Sequence, residues 1–107
     1  MKIAITSTGN TLESKVDRRF GRCSYFVIYD TETQAIEFFP NPNKNQIEGA
    51  GPASVQVVAS KGAKKVISGE FGTKIKPIFD QLQIQLIALP QENKSIKDII
   101  DLLNHQN

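Results

Sequence analysis

The sequence predicts an α/β domain in which a five-stranded mixed sheet is flanked by helices. The first observation is a hairpin pattern, in which two apolar and β-branched runs are separated by a polar turn. The second is that every later strand pattern is reached through a segment with helical periodicity, so the predicted order is β, β, β, α, β, α, β, α. The third is length, because 107 residues form one layered core and not two. We therefore expect one domain over residues 1–107.

Three strands are predicted in the first half of the chain. Residues 2–7 are β-branched and apolar enough to be buried on both faces of a sheet. Residues 25–29, YFVIY, carry the strongest strand signal, and residues 35–39 are expected to return as the other strand of a hairpin after the polar turn at 30–34. A long polar connection, residues 8–22, joins the first two strands, and connections of that length are usually functional or mobile.

Three helices alternate with two strands in the second half. The first helix is predicted over residues 53–61, after a glycine-rich opening that places Pro52 in the first helical turn. The second carries apolar residues at i, i+3, i+4 and i+7 from Ile75, and Pro77 restricts how it starts. The third has Ser95 as its N-cap with an acidic residue three positions on, a capping-box variant. The two strands are predicted at residues 64–68 and 84–89.

The helical connections decide how these strands are arranged. Right-handed crossovers make the later strands parallel and place helices against the sheet, which is the ribonuclease H-like, three-layer fold. Ligands of such sheets sit beyond the carboxyl ends of the parallel strands, where the strand order reverses. Residues 7–9, 49–52 and 68–73 should meet at that edge. The loop that ends in Arg19–Cys23, RFGRC, starts from the same edge and can fold over them.

Composition excludes several classes of protein. No apolar run approaches the ~18 residues that a membrane span needs, and the first residues lack the continuous apolar stretch of a secretory signal. One cysteine cannot form an internal disulfide, so the cysteine content does not indicate an oxidising compartment. The net charge of +2 is too small to indicate nucleic-acid binding by itself. We expect a cytoplasmic protein that binds neither nucleic acid nor membrane.

Positive charge is concentrated just before the second strand. Four cations fall within eight residues and are opposed there only by Asp17; they are Lys15, Arg18, Arg19 and Arg22. Such a cluster can attract an anion, or it can be a solvated basic loop. The charges alone do not separate these two interpretations.

Glycines precede the first predicted helix and follow the fourth predicted strand. Gly49 and Gly51 can present backbone N–H groups to an anion, helped by the helix dipole. Gly69 stands in a similar strand-to-helix turn. All three are equally compatible with tight turns alone, and the segment GAGP lacks the lysine and the spacing of a phosphate-binding fingerprint.

The reactive residues disfavour two kinds of catalysis. A two-metal nuclease needs several carboxylates, and the first strand carries none. A nucleophilic cysteine needs a base, and the single histidine, His105, lies near the end of the chain. Cys23 can instead be a metal or cluster ligand whose pKa is lowered by Arg19 and Arg22, or a small core residue at the start of a strand.

Three segments carry recognisable signatures. They are residues 19–28, RFGRCSYFVI, residues 49–53, GAGPA, and residues 66–72, VISGEFG. In order and spacing they resemble the signatures of the dinitrogenase iron–molybdenum cofactor biosynthesis family, and the resemblance extends from residue 2 to about residue 103. It implies a ribonuclease H-like fold. It also implies, as in the best understood members, a protein that carries or inserts an iron–sulfur-containing cofactor or its precursor without catalysing turnover.

The resemblance also implies a binding site in the Arg19–Cys23 loop and the glycine-rich turns. Cofactor-binding members often have histidine where this chain has Arg19, and a guanidinium can pair with an anionic cluster through its fork of N–H donors. A direct metal ligand in this loop would then be Cys23. The expected cofactor-binding residues are Arg19, Phe20, Gly21, Arg22, Cys23, Gly49, Gly51 and Gly69.

Two hypotheses for function follow. The first is a non-catalytic binding or carrier protein for an anionic metal–sulfur cofactor of the iron–sulfur or iron–molybdenum type, with the cofactor's donor or acceptor protein as partner. The alternative is a regulatory or interaction module that binds a simple anion or a protein partner through the Arg19–Cys23 loop.

Overall fold

The first strand of the chain lies at the centre of the sheet. The computed structural model describes residues 1–90 and 93–105. The strands are β1 Lys2–Ser7, β2 Tyr25–Asp30, β3 Ile36–Pro40, β4 Ala63–Ser68 and β5 Gln85–Ala88. They form one sheet in the order β3-β2-β1-β4-β5. Each strand matches its predicted range to within one residue at either end.

Strand direction follows from the connections. The hairpin makes β2 antiparallel to β1 and β3, whereas β4 is parallel to β1 and β5 is parallel to β4. Ile5 of β1 lies opposite Val27 on one side and Ile67 on the other, so β1 is paired along both edges. This order and these directions are the ribonuclease H-like arrangement, and the predicted five-stranded mixed sheet is confirmed.

Helices cover both faces of the sheet. Since successive side chains of a strand point to opposite faces, each strand contributes to two cores. The helices are α1 Ala50–Ser60, α2 Lys76–Gln81 and α3 Ile96–Asn104. Ala4 belongs to the core under α1 and α2, together with Val55 and Phe79, and Ile5 belongs to the core under α3. None of these helices, in the part of the chain that the structure describes, is long and apolar enough to cross a membrane.

The helix starts agree with the predicted ones except that of α1. α1 begins at Ala50, three residues before the predicted start, because Gly49 adopts a left-handed φ of 74° as its N-cap. Pro77 lies at the start of α2, as predicted. The capping box of α3 is present, with the Asp98 N–H donating to Ser95 Oγ at 3.0 Å.

The long connection after β1 is tied to the edge of the sheet. The N–H of Asp17 donates to the carbonyl of Thr6 at 2.9 Å, and the N–H of Gly69 donates to the carbonyl of Asp17 at 3.0 Å. Residues 15–19 therefore form an extended segment inserted between the carboxyl ends of β1 and β4. This segment positions the candidate site.

Only glycine fits at position 69, because the inserted segment passes very close to the backbone there. A Cβ at Gly69 would lie 2.6 Å from Arg18 Cα and 2.9 Å from the Arg18 carbonyl oxygen, both backbone atoms. A side chain there would push the inserted segment away from β4. Gly69 thus allows the backbone of residues 15–19 to lie against the backbone at the end of β4.

Gly69→Ala is expected to lower the free energy of unfolding by about 1–3 kcal/mol, because the added methyl group overlaps backbone atoms. Gly72→Ala is the matched control, since no described atom lies within 4 Å of a Cβ at that position. Urea unfolding followed by circular dichroism measures both variants. Equal stability of the two would contradict the close approach at Gly69.

Candidate functional site

Residues 17–19 and 69–70 form a ridge along the carboxyl edge of the sheet. Arg19 is bridged to Glu70 in parallel register, and the N–H of Glu70 donates to the carbonyl of Arg18 at 2.8 Å. A cleft lies on each side of the ridge, and Arg19 and Glu70 line both clefts. The ridge therefore divides the predicted ligand edge into two separate spaces.

The larger cleft, which we call the helix cleft, lies beside the start of α1 and encloses about 950 Å³. It collects most of the predicted cofactor-binding residues, namely Arg19, Phe20, Gly21, Arg22, Gly49 and Gly51. Gly69 lines the other cleft, and Cys23 is not among the described residues that line either one. The structure thus brings six of the eight predicted residues to one surface.

The smaller cleft, which we call the β5 cleft, encloses about 650 Å³. It lies where the chain leaves β1 and β5, and its lining includes Thr8, Lys15, Val16, Arg18, Leu89 and Pro90. The predicted meeting of the segments that follow β1 and β4 occurs here, because Thr8 and Gly69 line the same cleft. Sequence reasoning did not separate this cleft from the larger one.

Both arginines of the ridge are paired with carboxylates. Arg18 Nε lies 3.9 Å from Glu70 Oε2, and Arg19 Nε lies 3.9 Å from Asp17 Oδ1. The arginine side chains are still 70% and 57% exposed, respectively, so water screens these ion pairs strongly. An incoming anion can therefore compete with the carboxylates for the guanidinium groups. The sequence indicated Asp17 as an opposing charge. Glu70 could not be recognised in this way, because only the fold brings it close to Arg18.

Arg22 holds a neighbouring loop. Its guanidinium donates to the carbonyls of Lys44, Gln46 and Ile47 at 3.5, 2.5 and 3.2 Å. These bonds fix the segment that borders the helix cleft before α1. Direct contact between Arg22 and an anion stays a prediction, but the structure gives its side chain a positioning role that the sequence did not indicate.

Phe20 anchors the loop in the core. It is only 3% exposed, and its ring lies 5.7 Å from that of Phe26, 5.8 Å from that of Phe71 and 5.3 Å from that of Phe79, measured between centroids. Such aromatic clusters favour tilted and edge-on pairs. Phe20 therefore fixes the position of its neighbour Arg19 at the mouth of the cleft.

Cys23 is a buried core residue. It is fully inaccessible, and burial raises the pKa of its thiol from an ordinary 9.0 to about 12, with the nearby Asp17 carboxylate adding to the increase. The expected lowering of this pKa by Arg19 and Arg22 is wrong, because desolvation of the buried thiol is the largest effect and raises the pKa. The alternative interpretation, a small core residue at the start of a strand, describes this geometry.

Asn41 and Ser54 clamp the loop at Gly21. Asn41 Nδ2 donates to the carbonyls of Gly21 and Cys23, each at 3.0 Å, and Ser54 Oγ donates to the carbonyl of Gly21 at 3.1 Å. A Cβ at Gly21 would lie 2.9 Å from the backbone of Gly51 at the start of α1. No pattern in the sequence indicated this role for Asn41, although a buried asparagine with four hydrogen-bonding sites suits such a clamp.

The start of α1 contributes positive potential to the helix cleft. Among the described residues, no side chain caps this helix at Gly49, and its first turn contains no acidic residue. The first N–H groups of a helix lack partners within the helix and carry partial positive charge. Gly49, Ala50 and Gly51 line the cleft, so this end of α1 can favour an anion there.

The fold and the two clefts define a small ribonuclease H-like domain whose candidate site lies at the carboxyl edge of its sheet. Residues 1–106 match the family model described as dinitrogenase iron-molybdenum cofactor, and the chain belongs to that family. The family is thus involved with a metal cofactor, as the resemblance predicted. No curated protein matches the chain.

Solved structures share this fold over nearly the whole chain. The apo form of the orange protein from Desulfovibrio gigas is 31% identical, with a TM-score of 0.88, covering 98% of this chain and 88% of that one. A NifB-like protein from Thermotoga, of the DUF35 family, is 30% identical, with a TM-score of 0.81 and the same coverages. A dinitrogenase-like protein from Methanocaldococcus jannaschii is 14% identical, with a TM-score of 0.65 and coverages of 98% and 88%, and shows the fold alone.

The thiol of Cys23 is expected to react slowly with iodoacetamide in the folded protein at pH 8. Alkylation requires an accessible thiolate, and both burial and the raised pKa work against it. In urea the same thiol should react at the rate of an ordinary cysteine. Mass spectrometry of timed samples measures both rates, and rapid alkylation of the folded protein would contradict the buried position.

Proposed function

We propose that this protein is a non-catalytic binding or carrier protein for an anionic metal–sulfur cofactor, or its precursor, of the iron–sulfur or iron–molybdenum type. The observation that carries the proposal is the helix cleft, where the exposed guanidinium of Arg19 lies beside the start of α1. Membership in the dinitrogenase iron-molybdenum cofactor family supports a cargo of this class.

The charged side chains of the helix cleft can attract an anion, although they would neutralise only part of its charge. Of the residues that the structure describes, three cations line it, Arg19, Arg22 and Lys74, together with the carboxylates of Glu48 and Glu70. The surplus positive charge is small, and the start of α1 adds to it. A multiply charged cargo gains more from such a site than a singly charged ion does, because each added charge interacts with the same fixed donors.

The donors present fit a cargo held by charge and hydrogen bonds better than one held by thiolate ligation. Cys23 lies in the core with its pKa raised to about 12, so binding a metal through it would require the loop to open. Within residues 1–90 and 93–105, no group of three or more His, Cys, Asp or Glu is arranged to hold a metal ion. We therefore assign the contacts to Arg19 and the backbone of α1, and not to Cys23.

The proposal includes a partner and a compartment. A carrier must receive its cargo from a donor protein and pass it to an acceptor, and proteins of cofactor biosynthesis are the expected class. A single free cysteine suits the reducing cytoplasm, which is where we expect this exchange to occur.

A second candidate function is an interaction module that binds a simple anion and docks on a protein. Ile47 favours it, because this large apolar side chain is 92% exposed at the border of the helix cleft. Arg22 fixes the backbone of the same segment, so Ile47 is presented in a defined position. An apolar side chain so placed can form the centre of a contact with a partner.

Arg19→Ala is expected to reduce cargo binding about tenfold, the effect of losing one charge-assisted hydrogen bond of about 1.5 kcal/mol. The measurement is protein-bound iron and visible absorption after anaerobic incubation with iron and sulfide, or with a preformed iron–sulfur cluster. Cys23→Ala should retain most of the bound iron. Lys64→Ala is the charge-matched control, because Lys64 is an exposed cation at the opposite end of β4.

Two outcomes would contradict this account. Loss of bound iron in Cys23→Ala with retention in Arg19→Ala would indicate thiolate ligation instead. If the wild-type protein takes up no cluster, the carrier function fails. A melting temperature that then rises with inorganic phosphate, and does so only when Arg19 is present, would support the second candidate.

A further inference from the structure

The β5 cleft has a different chemistry from the helix cleft. One part of its lining is apolar and consists of Val16, Leu89 and Pro90, whereas Lys15 and Arg18 supply positive charge beside it. None of these five residues lines the helix cleft among the residues described there. The two clefts thus share the ridge but differ in the groups they offer a ligand.

We propose that the β5 cleft is a second binding site, for a small amphipathic organic monoanion such as an aromatic sulfonate or carboxylate. The apolar body of such a ligand would cover Leu89 and Pro90, and its anionic end would face Arg18 and Lys15. The volume of about 650 Å³ lies within the range of small-molecule sites in proteins.

The frame of the β5 cleft is built from backbone hydrogen bonds. The N–H of Thr8 donates to the carbonyl of Lys15, and the N–H of Leu89 donates to the carbonyl of Ser68, at 2.9 and 2.8 Å. The N–H of Val16 donates to the carbonyl of Lys94 at 2.9 Å. A cleft with a paired backbone needs little reorganisation when a ligand enters, which favours binding.

The charges of the cleft select an anion of low charge. Among the described lining residues, Lys15, Arg18 and Arg19 are opposed by Asp17 and Glu70, which leaves a single positive charge. Glu70 pairs with Arg18 at 3.9 Å, at an exposed position where a ligand anion can replace it. An organic monoanion matches this balance, and its apolar body distinguishes it from an inorganic ion.

Binding of 8-anilinonaphthalene-1-sulfonate, an amphipathic monoanion, tests the proposal on the wild-type chain. We expect saturable binding with one site per chain and a blue-shifted fluorescence. Arg18→Ala should weaken it about tenfold, which corresponds to about 1.4 kcal/mol, and Leu89→Ala about threefold. Lys74→Ala, which removes a cation from the helix cleft only, should leave it unchanged. Naphthalene-1-sulfonate should displace the probe, and inorganic phosphate at the same concentration should not.

The proposal is overturned if binding does not saturate, or if Arg18→Ala and Leu89→Ala bind the probe like the wild type while circular dichroism shows both folded. It is also overturned if Lys74→Ala weakens binding as much as Arg18→Ala, since the probe would then occupy the helix cleft. Displacement by inorganic phosphate at the same concentration would also overturn it, because the apolar body would then add nothing to recognition. Cluster uptake by the helix cleft is measured separately, so either function can fail without the other.

Discussion

The site depends on the hydrogen bonds that the backbone carbonyl of Asp17 accepts. This carbonyl accepts hydrogen bonds from the hydroxyl of Thr6 at 2.9 Å and from the N–H of Gly69 at 3.0 Å, both at the carboxyl edge of the sheet. The hydroxyl of Ser68, which is buried like that of Thr6, donates to the same carbonyl at 3.4 Å, and its oxygen lies 3.0 Å from that of Thr6. A buried carbonyl without these donors would cost about as much as a lost hydrogen bond, so the inserted segment has one favoured position.

Once this segment is fixed, the residues of the RFGRC loop have different environments and different roles. Phe20 and Cys23 enter the core, Gly21 abuts the start of α1, and the guanidinium of Arg22 binds carbonyls of the neighbouring loop. Arg19 remains more than half exposed between the two clefts. The loop is therefore mostly a structural part that presents one cation, which favours recognition of an anion by charge over ligation of a metal.

Much of this structure could be predicted from sequence because it depends on local patterns. Alternating and helical periodicities predicted the five strands and three helices. The rule that ligands sit at the carboxyl edge predicted that residues 7–9, 49–52 and 68–73 meet. Thr8 and Gly69 do line the β5 cleft together, whereas residues 49–52 line the helix cleft. The pairing of Glu70 with Arg18 and the binding of Arg22 to carbonyls could not be predicted, because each joins segments far apart in the chain. The sequence left two interpretations of Cys23 open for the same reason, since burial, which raises the pKa of its thiol, depends on the packing of α1 and β2 and not on neighbours in sequence.

The central claim is that residues 15–19 are a fixed part of the sheet edge, and amide hydrogen exchange tests it most directly. The N–H groups of Asp17, Gly69 and Glu70, which join this segment to β1 and β4, should exchange as slowly as those in the middle of β1. The N–H of Thr73, on the stretch between β4 and α2, serves as a reference for an exposed position. Exchange of the Asp17 and Gly69 amides as fast as that of Thr73 would contradict the account, because the ridge and both clefts would then lack a fixed frame.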